Sequence, residues 1–358
     1  MSESHGELTR IDMASLPSHV RRVLDGVDDL LLHHLPMNVR FRRVTSREGL
    51  LLHGPSGWAE AAPFWDYDPV ESSTWLAGAH SVATGPRRTP LRDRVPVNVT
   101  IPVVCASDAY QRVISSGGCA TAKVKVADPN TELAEDIARV EAVAQALVDT
   151  VGAEHGRIRV DVNAAWDVDY ARKAVPQLDR AAMQVGGLEY AEQPCASVED
   201  LATLRRSIDV PIAADESIRR AEDPQAVARA QAADVAIIKI APLGGIERAL
   251  QIGEQTGLDL VVSSALESSV GLGVGVRAAS LLPGTVRACG LATSRFLACD
   301  VVSQSLLPVD GFLPVRDVEP DQSLIDARPV DAEIRDRWLH RLDLMCAHLE
   351  SVAGGHHA

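Results

Sequence analysis

The sequence is short of positive charge: Lys+Arg number 35 against 49 for Asp+Glu, a formal net charge of −14 at pH 7. Without a basic excess there is no electrostatic footprint for nucleic acid or an anionic membrane surface, which disfavours both as partners. Long apolar runs are also missing, since none approaches the roughly 20 residues of a spanning helix. The N-terminal stretch MSESHGELTR lacks the basic-then-apolar layout of a secretory signal, so the expected location is the cytoplasm. Cysteine is sparse and scattered, at Cys105, Cys119, Cys195, Cys289, Cys299 and Cys346, with no C-x-x-C pair. That pattern implies reduced thiols and argues against a disulfide framework or a zinc site. Nothing here fixes an oligomeric state, which stays open.

What is present is the mix of a soluble globular protein, 46% hydrophobic and 23% charged. At 358 residues the chain exceeds most single compact cores but suits a barrel with an attached domain. Residues 1–35 carry little pattern. Residues 47–64, REGLLLHGPSGWAEAAPF, read as two strands around the turn GPSG, and the Pro- and Arg-rich 85–96 reads as a linker.

From residue 97 the texture changes to short apolar runs alternating with helical patterns. The runs are 97–104, 121–127, 157–163, 188–194, 212–217, 235–242 and 259–267, with a weaker eighth at 287–294. Between them, 131–150 places Leu133, Ile137, Val140, Ala144, Leu147 and Val148 at spacings of three and four. SVED at 197–200 resembles a capping box. DPQAVARAQ, 223–231, carries Asp223 at an N-cap and Pro224 at the first helical position. The segment 245–257 ends on Gly257, suited to a left-handed cap. A last helix, about 331–351, has apolar positions at Ile334, Trp338, Leu342, Met345 and Leu349.

Strand and helix alternating over seven or eight rounds is the signature of an α/β protein with a (β/α)7β TIM-like barrel. The rival, an open doubly wound sheet, usually has fewer strands. No G-x-G-x-x-G follows the first strand, which lowers the dinucleotide-binding reading. The expected division is an N-terminal domain over 1–96, a barrel over 97–309, and a C-terminal segment of about 310–350 that packs back on the N-terminal domain.

Active-site groups of a parallel barrel belong at the C-terminal strand ends, and five successive strands here end in ionisable residues. The second offers Lys123 and Lys125, two apart and therefore on one face of the strand. The third offers Asp161, with Arg159 and Asn163 on the same face. The fourth offers Glu192, the fifth Asp215 beside Glu216, and the sixth Lys239. Singly each has a bland explanation: a strand lysine snorkels to water, and an Asp before a turn starts a loop. Together they share one mouth, where three carboxylates would repel one another unless cations intervene. Lysines relieve that in part and a divalent ion more fully. All-oxygen ligation favours a hard ion, Mg²⁺ or Mn²⁺, over zinc, with about half of an octahedral shell left for water or substrate. A lysine aimed at such a site can act as a base once its pKa falls toward the working pH. The metal, Lys123 and Lys239 would push that of Lys125 down.

These residues resemble the enolase superfamily, in its muconate-lactonizing branch. The resemblance covers about 97–300 and rests on K-x-K at 123–125, Asp161 in DVN, Glu192 in EQP, Asp215 in DES, and Lys239. The successive acid and lysine spacings, 31, 23 and 24 residues, each suit one strand–helix unit. Within the branch the sequence looks most like the o-succinylbenzoate synthase group. GWAEAAPF (57–64) resembles its GEFSPF-like segment, and SSALESSVGLG (263–273) its serine-rich seventh-strand segment. The 1–35 region does not align with the usual capping-domain start, and AEAAPF replaces bulkier residues.

The resemblance implies an α+β capping domain over the barrel and a lyase of menaquinone biosynthesis acting on a small-molecule carboxylate. It implies Mg²⁺ (or Mn²⁺) held by Asp161, Glu192 and Asp215, and Lys125 removing the proton alpha to the substrate carboxylate. Lys239 and the metal would stabilise the enediolate, and Lys123 would touch substrate oxygen. Asn163 and Arg159 are expected either to touch substrate or to back the residues that do, and Ser263, Ser264 and Ser268 are expected as substrate contacts, with a purely structural role open for several of the serines. Two alternatives stand beside this reading. The same site could racemise N-acylamino acids or cycloisomerise muconate. Alternatively, the barrel could be a metal-free ligand binder whose acids and lysines are plain salt bridges.

Overall fold

The computed structural model describes residues 6–41, 44–219 and 223–355. In chain order the N-terminal part holds β1 (Glu7–Arg10), α1 (Ser18–Val23), β2 (Asp29–Phe41), β3 (Val44–Gly54), β4 (Gly57–Ala61), α2 (Pro69–Thr84) and β5 (Arg94–Pro96). The alternating part follows as β6 (Asn98–Ile101), α3 (Ala106–Ile114), β7 (Thr121–Lys125), α4 (Leu133–Val151), β8 (Arg157–Asp161), α5 (Val168–Ala181), β9 (Leu188–Glu192), α6 (Val198–Arg205) and β10 (Ile212–Ala214). It continues with α7 (Glu216–Arg219), α8 (Ala226–Arg229), β11 (Val235–Ile238), α9 (Ile246–Thr256), β12 (Asp259–Val262) and α10 (Ser269–Ser280), before β13 (Phe312–Pro314) and α11 (Ala332–Gly355).

β6 to β12 form one parallel sheet in sequential order. The eighth run closes the ring with two single bridges, Val97 to Cys289 and Ser263 to Gly290. Cys289 N donates to Pro96 O at 2.7 Å and Gly290 N to Val262 O at 2.9 Å. The strands are largely buried on both faces, as a parallel barrel requires. Val124, Val160 and Ala191 turn to the helices within the main core, while Tyr190, Ala213, Val235, Ile237 and Val261 form a separate cluster. The helices begin where local chemistry satisfies their first N–H groups. Asp68 accepts from Glu71 N at 2.8 Å, Asp167 from Tyr170 N at 2.8 Å, and Ser197 from Asp200 N at 3.0 Å. Gly257 ends α9 at φ +64.

A separate antiparallel sheet, β1-β2-β3-β4, forms the cap with α1 and α2. The patternless 1–35 region thus holds a strand, a helix and most of β2 among its described residues, 6–35. β2 reads as unbroken Leu30–Leu32 because both faces are covered. α2 also went unforeseen, since its apolar residues are not confined to one stripe. The linker ends in β5, which pairs with β13. The helix expected over 223–231 is only the single turn of α8; Asp223 Oδ1 instead accepts from Gln225 N at 3.1 Å.

α11 lies on the cap. Trp338 is fully buried and its Nε1 donates to Glu48 Oε2 at 2.7 Å, while Arg341 donates to Pro63 O, Phe64 O and Tyr67 O at 3.2, 2.7 and 3.0 Å. Trp338→Ala should cost about 3–5 kcal/mol, read from the urea midpoint; a loss under about 1 kcal/mol would show that this face does not hold the helix.

Candidate active site

The barrel register puts the ionisable groups at a common height. Lys125 stands opposite Asp161, and Asp161 opposite Glu192, on three adjacent strands. Asp215 follows the end of β10 and Lys239 the end of β11. All are buried: Lys123 and Lys125 are 7% exposed, Lys239 3%, and the three acids 0%.

At this depth each carboxylate is met by an ammonium group. Lys123 Nζ donates to Glu192 Oε1 and Oε2 at 2.8 and 3.0 Å and lies 3.1 Å from Asp161 Oδ2. Lys125 Nζ donates to Asp161 Oδ2 at 2.5 Å and to Asn163 Oδ1 at 2.6 Å. Lys239 Nζ donates to Asp215 Oδ2 at 2.5 Å, and Arg219 Nε to Asp215 Oδ1 at 3.0 Å. Burial works against the charge on Lys123, but Glu192 and Asp161 more than offset it and keep its pKa above the ordinary lysine value. Glu192 is pushed up to about 7, by burial first and then by the neighbouring Asp161 against the pull of Lys123, with Asp215 adding to the repulsion.

Among the described residues, no three His, Cys, Asp or Glu side chains converge closely enough to grip an ion as they stand. The donor set nevertheless fits a hard divalent cation. It offers only carboxylate oxygens from adjacent strand ends, and one ammonium, Lys123 Nζ, reaches both Asp161 and Glu192, at 3.1 and 2.8 Å.

Gln193 links two of the acid-bearing strand ends. Its Oε1 accepts from Asp215 N at 2.9 Å and Ser217 N at 3.2 Å, and its Nε2 donates to Ser217 Oγ at 2.7 Å. Gln193 and Asn163 both adopt positive φ, 40° and 50°. That conformation is unusual for non-glycine residues, and such residues cluster at functional sites.

Lys123, Lys125, Asp161 and Lys239 line one cavity together with Phe64, Thr100, Ser263, Ser264, Ala265, Leu266, Gly290 and Thr293. Two expected substrate contacts lie elsewhere. Arg159 sits two residues, about 6–7 Å, deeper in the barrel than Asp161. Its guanidinium donates to Glu189 Oε2 at 2.6 Å, Asn98 Oδ1 at 3.1 Å and Ala288 O at 2.6 Å. It also stacks 4.7 Å from the Tyr190 ring, so it fills the barrel floor instead of meeting substrate. Ser268 is fully buried at the start of α10, where its Oγ donates to Glu60 Oε2 at 2.5 Å.

Residues 106–320 match the family described as Enolase C-terminal domain-like, and 32–83 the one described as Enolase N-terminal domain-like. The chain belongs to the enolase superfamily.

Within the superfamily it falls in the o-succinylbenzoate synthase family, and it is an enzyme of the lyase class. It is 48% identical over 318 residues to the o-succinylbenzoate synthase of Thermobifida fusca, covering 89% of this chain and 96% of that one. It is 46% identical over 328 residues to that of Mycobacterium leprae, covering 92% and 94%. A solved muconate cycloisomerase from Pseudomonas fluorescens shares the fold, with a TM-score of 0.65 at 21% identity over 83% of this chain and 95% of that one. Among the described residues no helix is long and apolar enough to cross a membrane.

Sequence reading missed several residues in and beside this cavity. Thr100 was within reach, because it lies next to the last residue of the first barrel strand. Arg219 also donates to Glu216 Oε1 at 2.7 Å and to the Tyr67 hydroxyl of the cap; its pairs with Asp215 and Glu216 follow from spacings of four and three on one helical turn, and only the Tyr67 contact is set by tertiary folding.

Beside the cavity, Glu267 is buried and its carboxyl is pushed up to about 7, by burial and then by Glu60. Unfolding returns it to the ordinary value of 4.5. The folded state therefore binds this proton more tightly. The resulting stabilisation is complete below about pH 4.5 and is lost as pH rises through about 7. Melting temperature should fall between about pH 5 and 7.5 by a component that Glu267→Gln lacks; identical pH slopes for both proteins would contradict this.

Proposed function

We propose that the protein is an o-succinylbenzoate synthase acting in the cytoplasm on menaquinone biosynthesis. It would dehydrate 2-succinyl-6-hydroxy-2,4-cyclohexadiene-1-carboxylate to o-succinylbenzoate. The observation that carries the reading is the placement of two lysines across one acid-lined cavity. Lys125 ends the second strand of an eight-membered ring and Lys239 follows the sixth, so they approach from opposite sides. Near-half identity to the Thermobifida synthase over almost the whole chain selects the substrate.

The local charge count supports a divalent ion. Lys123, Lys125, Lys239 and Arg219 face Asp161, Glu192, Asp215 and Glu216, which leaves the buried cluster balanced. A substrate with two carboxylates would unbalance it, and buried net charge is costly. Asp161, Glu192 and Asp215 would hold Mg²⁺ or Mn²⁺, which would supply Lewis-acid polarisation of the substrate carboxylate.

Lys125 then takes the proton alpha to the ring carboxylate. The Lys239 ammonium, opposite it, stabilises the charge that accumulates on the carboxylate oxygens. Lys123, held protonated by Glu192 and Asp161, contributes fixed positive charge and no proton transfer. The protonated Lys125 returns its proton to the departing hydroxyl, water leaves, and the ring becomes aromatic. Asn163, which accepts from Lys125, would orient the base. Ser263 and Ser264 offer hydroxyls to the succinyl arm.

Purified protein should turn over the cyclohexadiene acid with Mg²⁺ and lose activity in EDTA, and Lys125→Ala should lower kcat by about 10²–10⁴. EDTA-insensitive turnover, or full activity in Lys125→Ala, would contradict the mechanism. The opposed lysines also favour a second reading, two-base racemisation of an N-succinylamino acid. A higher kcat/KM on that substrate than on the cyclohexadiene acid would make it the principal activity.

A further inference from the structure

We infer that two cap residues, Arg47 and Glu60, are positioning residues that hold the middle and the C-terminal end of the loop 264–268 and thereby set the wall that recognises the substrate's non-reacting arm. The inference rests on the synthase reading for the identity of that arm. The lysines and acids act on the reacting carboxylate and its neighbouring proton, which every substrate of this chemistry shares. Discrimination must come from the rest of the cavity, namely Phe64, Ser263, Ser264, Ala265 and Leu266.

Arg47, on β3, is 3% exposed. Its Nε donates to Leu266 O at 3.1 Å, and its Nη2 to Ala265 O at 3.4 Å and to Ala62 O. The same guanidinium lies 4.0 Å over the Phe64 ring. One cation therefore ties the cap side of the cavity wall, Phe64, to the barrel side, Ala265 and Leu266.

Glu60, on β4, grips the C-terminal end. Its carboxylate accepts from Ser268 N at 3.0 Å, Ser268 Oγ at 2.5 Å and Gly271 N at 3.1 Å. These donors belong to the start of α10, where backbone N–H groups favour an anion. His33 Nε2, 3.1 Å from Glu60 Oε1, backs the carboxylate from β2. A cation on the loop's carbonyls and an anion on its N–H groups match the polarity of the chain at each point.

The loop needs such holding. Leu266 has φ +65, a conformation that non-glycine residues keep only when their surroundings over-determine it. Ala265 N donates to Glu267 Oε2 at 2.7 Å, and the Ser264 and Thr293 hydroxyls are 2.9 Å apart. A shift at Leu266 O would therefore move the residues that line the cavity.

The test compares wild type with Arg47→Met, Arg47→Lys and Glu60→Gln by three readouts: the kcat and KM split, the Kd for o-succinylbenzoate in Mg²⁺, and amide hydrogen exchange. Loss of charge-assisted hydrogen bonds in Arg47→Met should raise KM and Kd by about tenfold to a hundredfold while kcat changes by less than about threefold. Exchange should quicken over 264–268 but not over 157–163 or 188–193. Arg47→Lys, which keeps the charge, should fall between. Unchanged KM and Kd would overturn the inference, as would exchange that rises equally in the barrel strands, the mark of a merely structural role. If Arg47→Met does not fold, Glu60→Gln decides on the same readouts. A wild type that neither binds o-succinylbenzoate nor forms it overturns the synthase reading alone, and the exchange pattern still decides the grip.

Discussion

The structure turns on the burial of acids and lysines together at the C-terminal mouth of one barrel. Three carboxylates with no solvent exposure could not be placed there unaccompanied, because the desolvation of each ion amounts to several kcal/mol. Lys123, Lys125 and Lys239 supply the compensation. Removing one partner from such a pair typically costs about 3–5 kcal/mol, although a well-paired buried ion pair adds little net stability over an apolar substitute. The cluster is therefore poorly explained as a stabilising device and well explained as a store of charges poised for chemistry.

The fold delivers those charges through register. The parallel ladder sets Lys125, Asp161 and Glu192 at one height, and the Gln193 side chain fixes the backbone of Asp215 beside them. One layer below, Arg159, Tyr190 and Asn98 close the floor with their own polar network. The cap and the seventh-strand loop close the remaining side. The reacting end of the site thus comes from regular strands, and the recognising end from loops and a second domain, so the two can vary separately.

Much of this was legible in the sequence. The β/α alternation announced the barrel, and the period-2 geometry of strands put both K-x-K lysines on one face. The spacing of Asp161, Glu192, Asp215 and Lys239 matched one strand–helix unit per step. What escaped did so for physical reasons. Alternation gives the face of a side chain but not its depth along the strand, so Arg159 looked like a substrate contact while lying one layer too low. The Leu-rich β2 carried no alternation because both faces are covered. Arg47, Glu60 and Gln193 act through backbone atoms or side chains distant in sequence, and a single sequence holds no trace of those pairings.

The proposed mechanism requires that Asp161, Glu192 and Asp215 together hold one divalent ion. Electron paramagnetic resonance of Mn²⁺ titrated into the purified protein tests it most directly. The account predicts one saturable ion per chain, displaced by Mg²⁺ and weakened by at least about tenfold in Asp161→Asn, Glu192→Gln and Asp215→Asn alike. No saturable binding, or binding that survives all three substitutions, would contradict it.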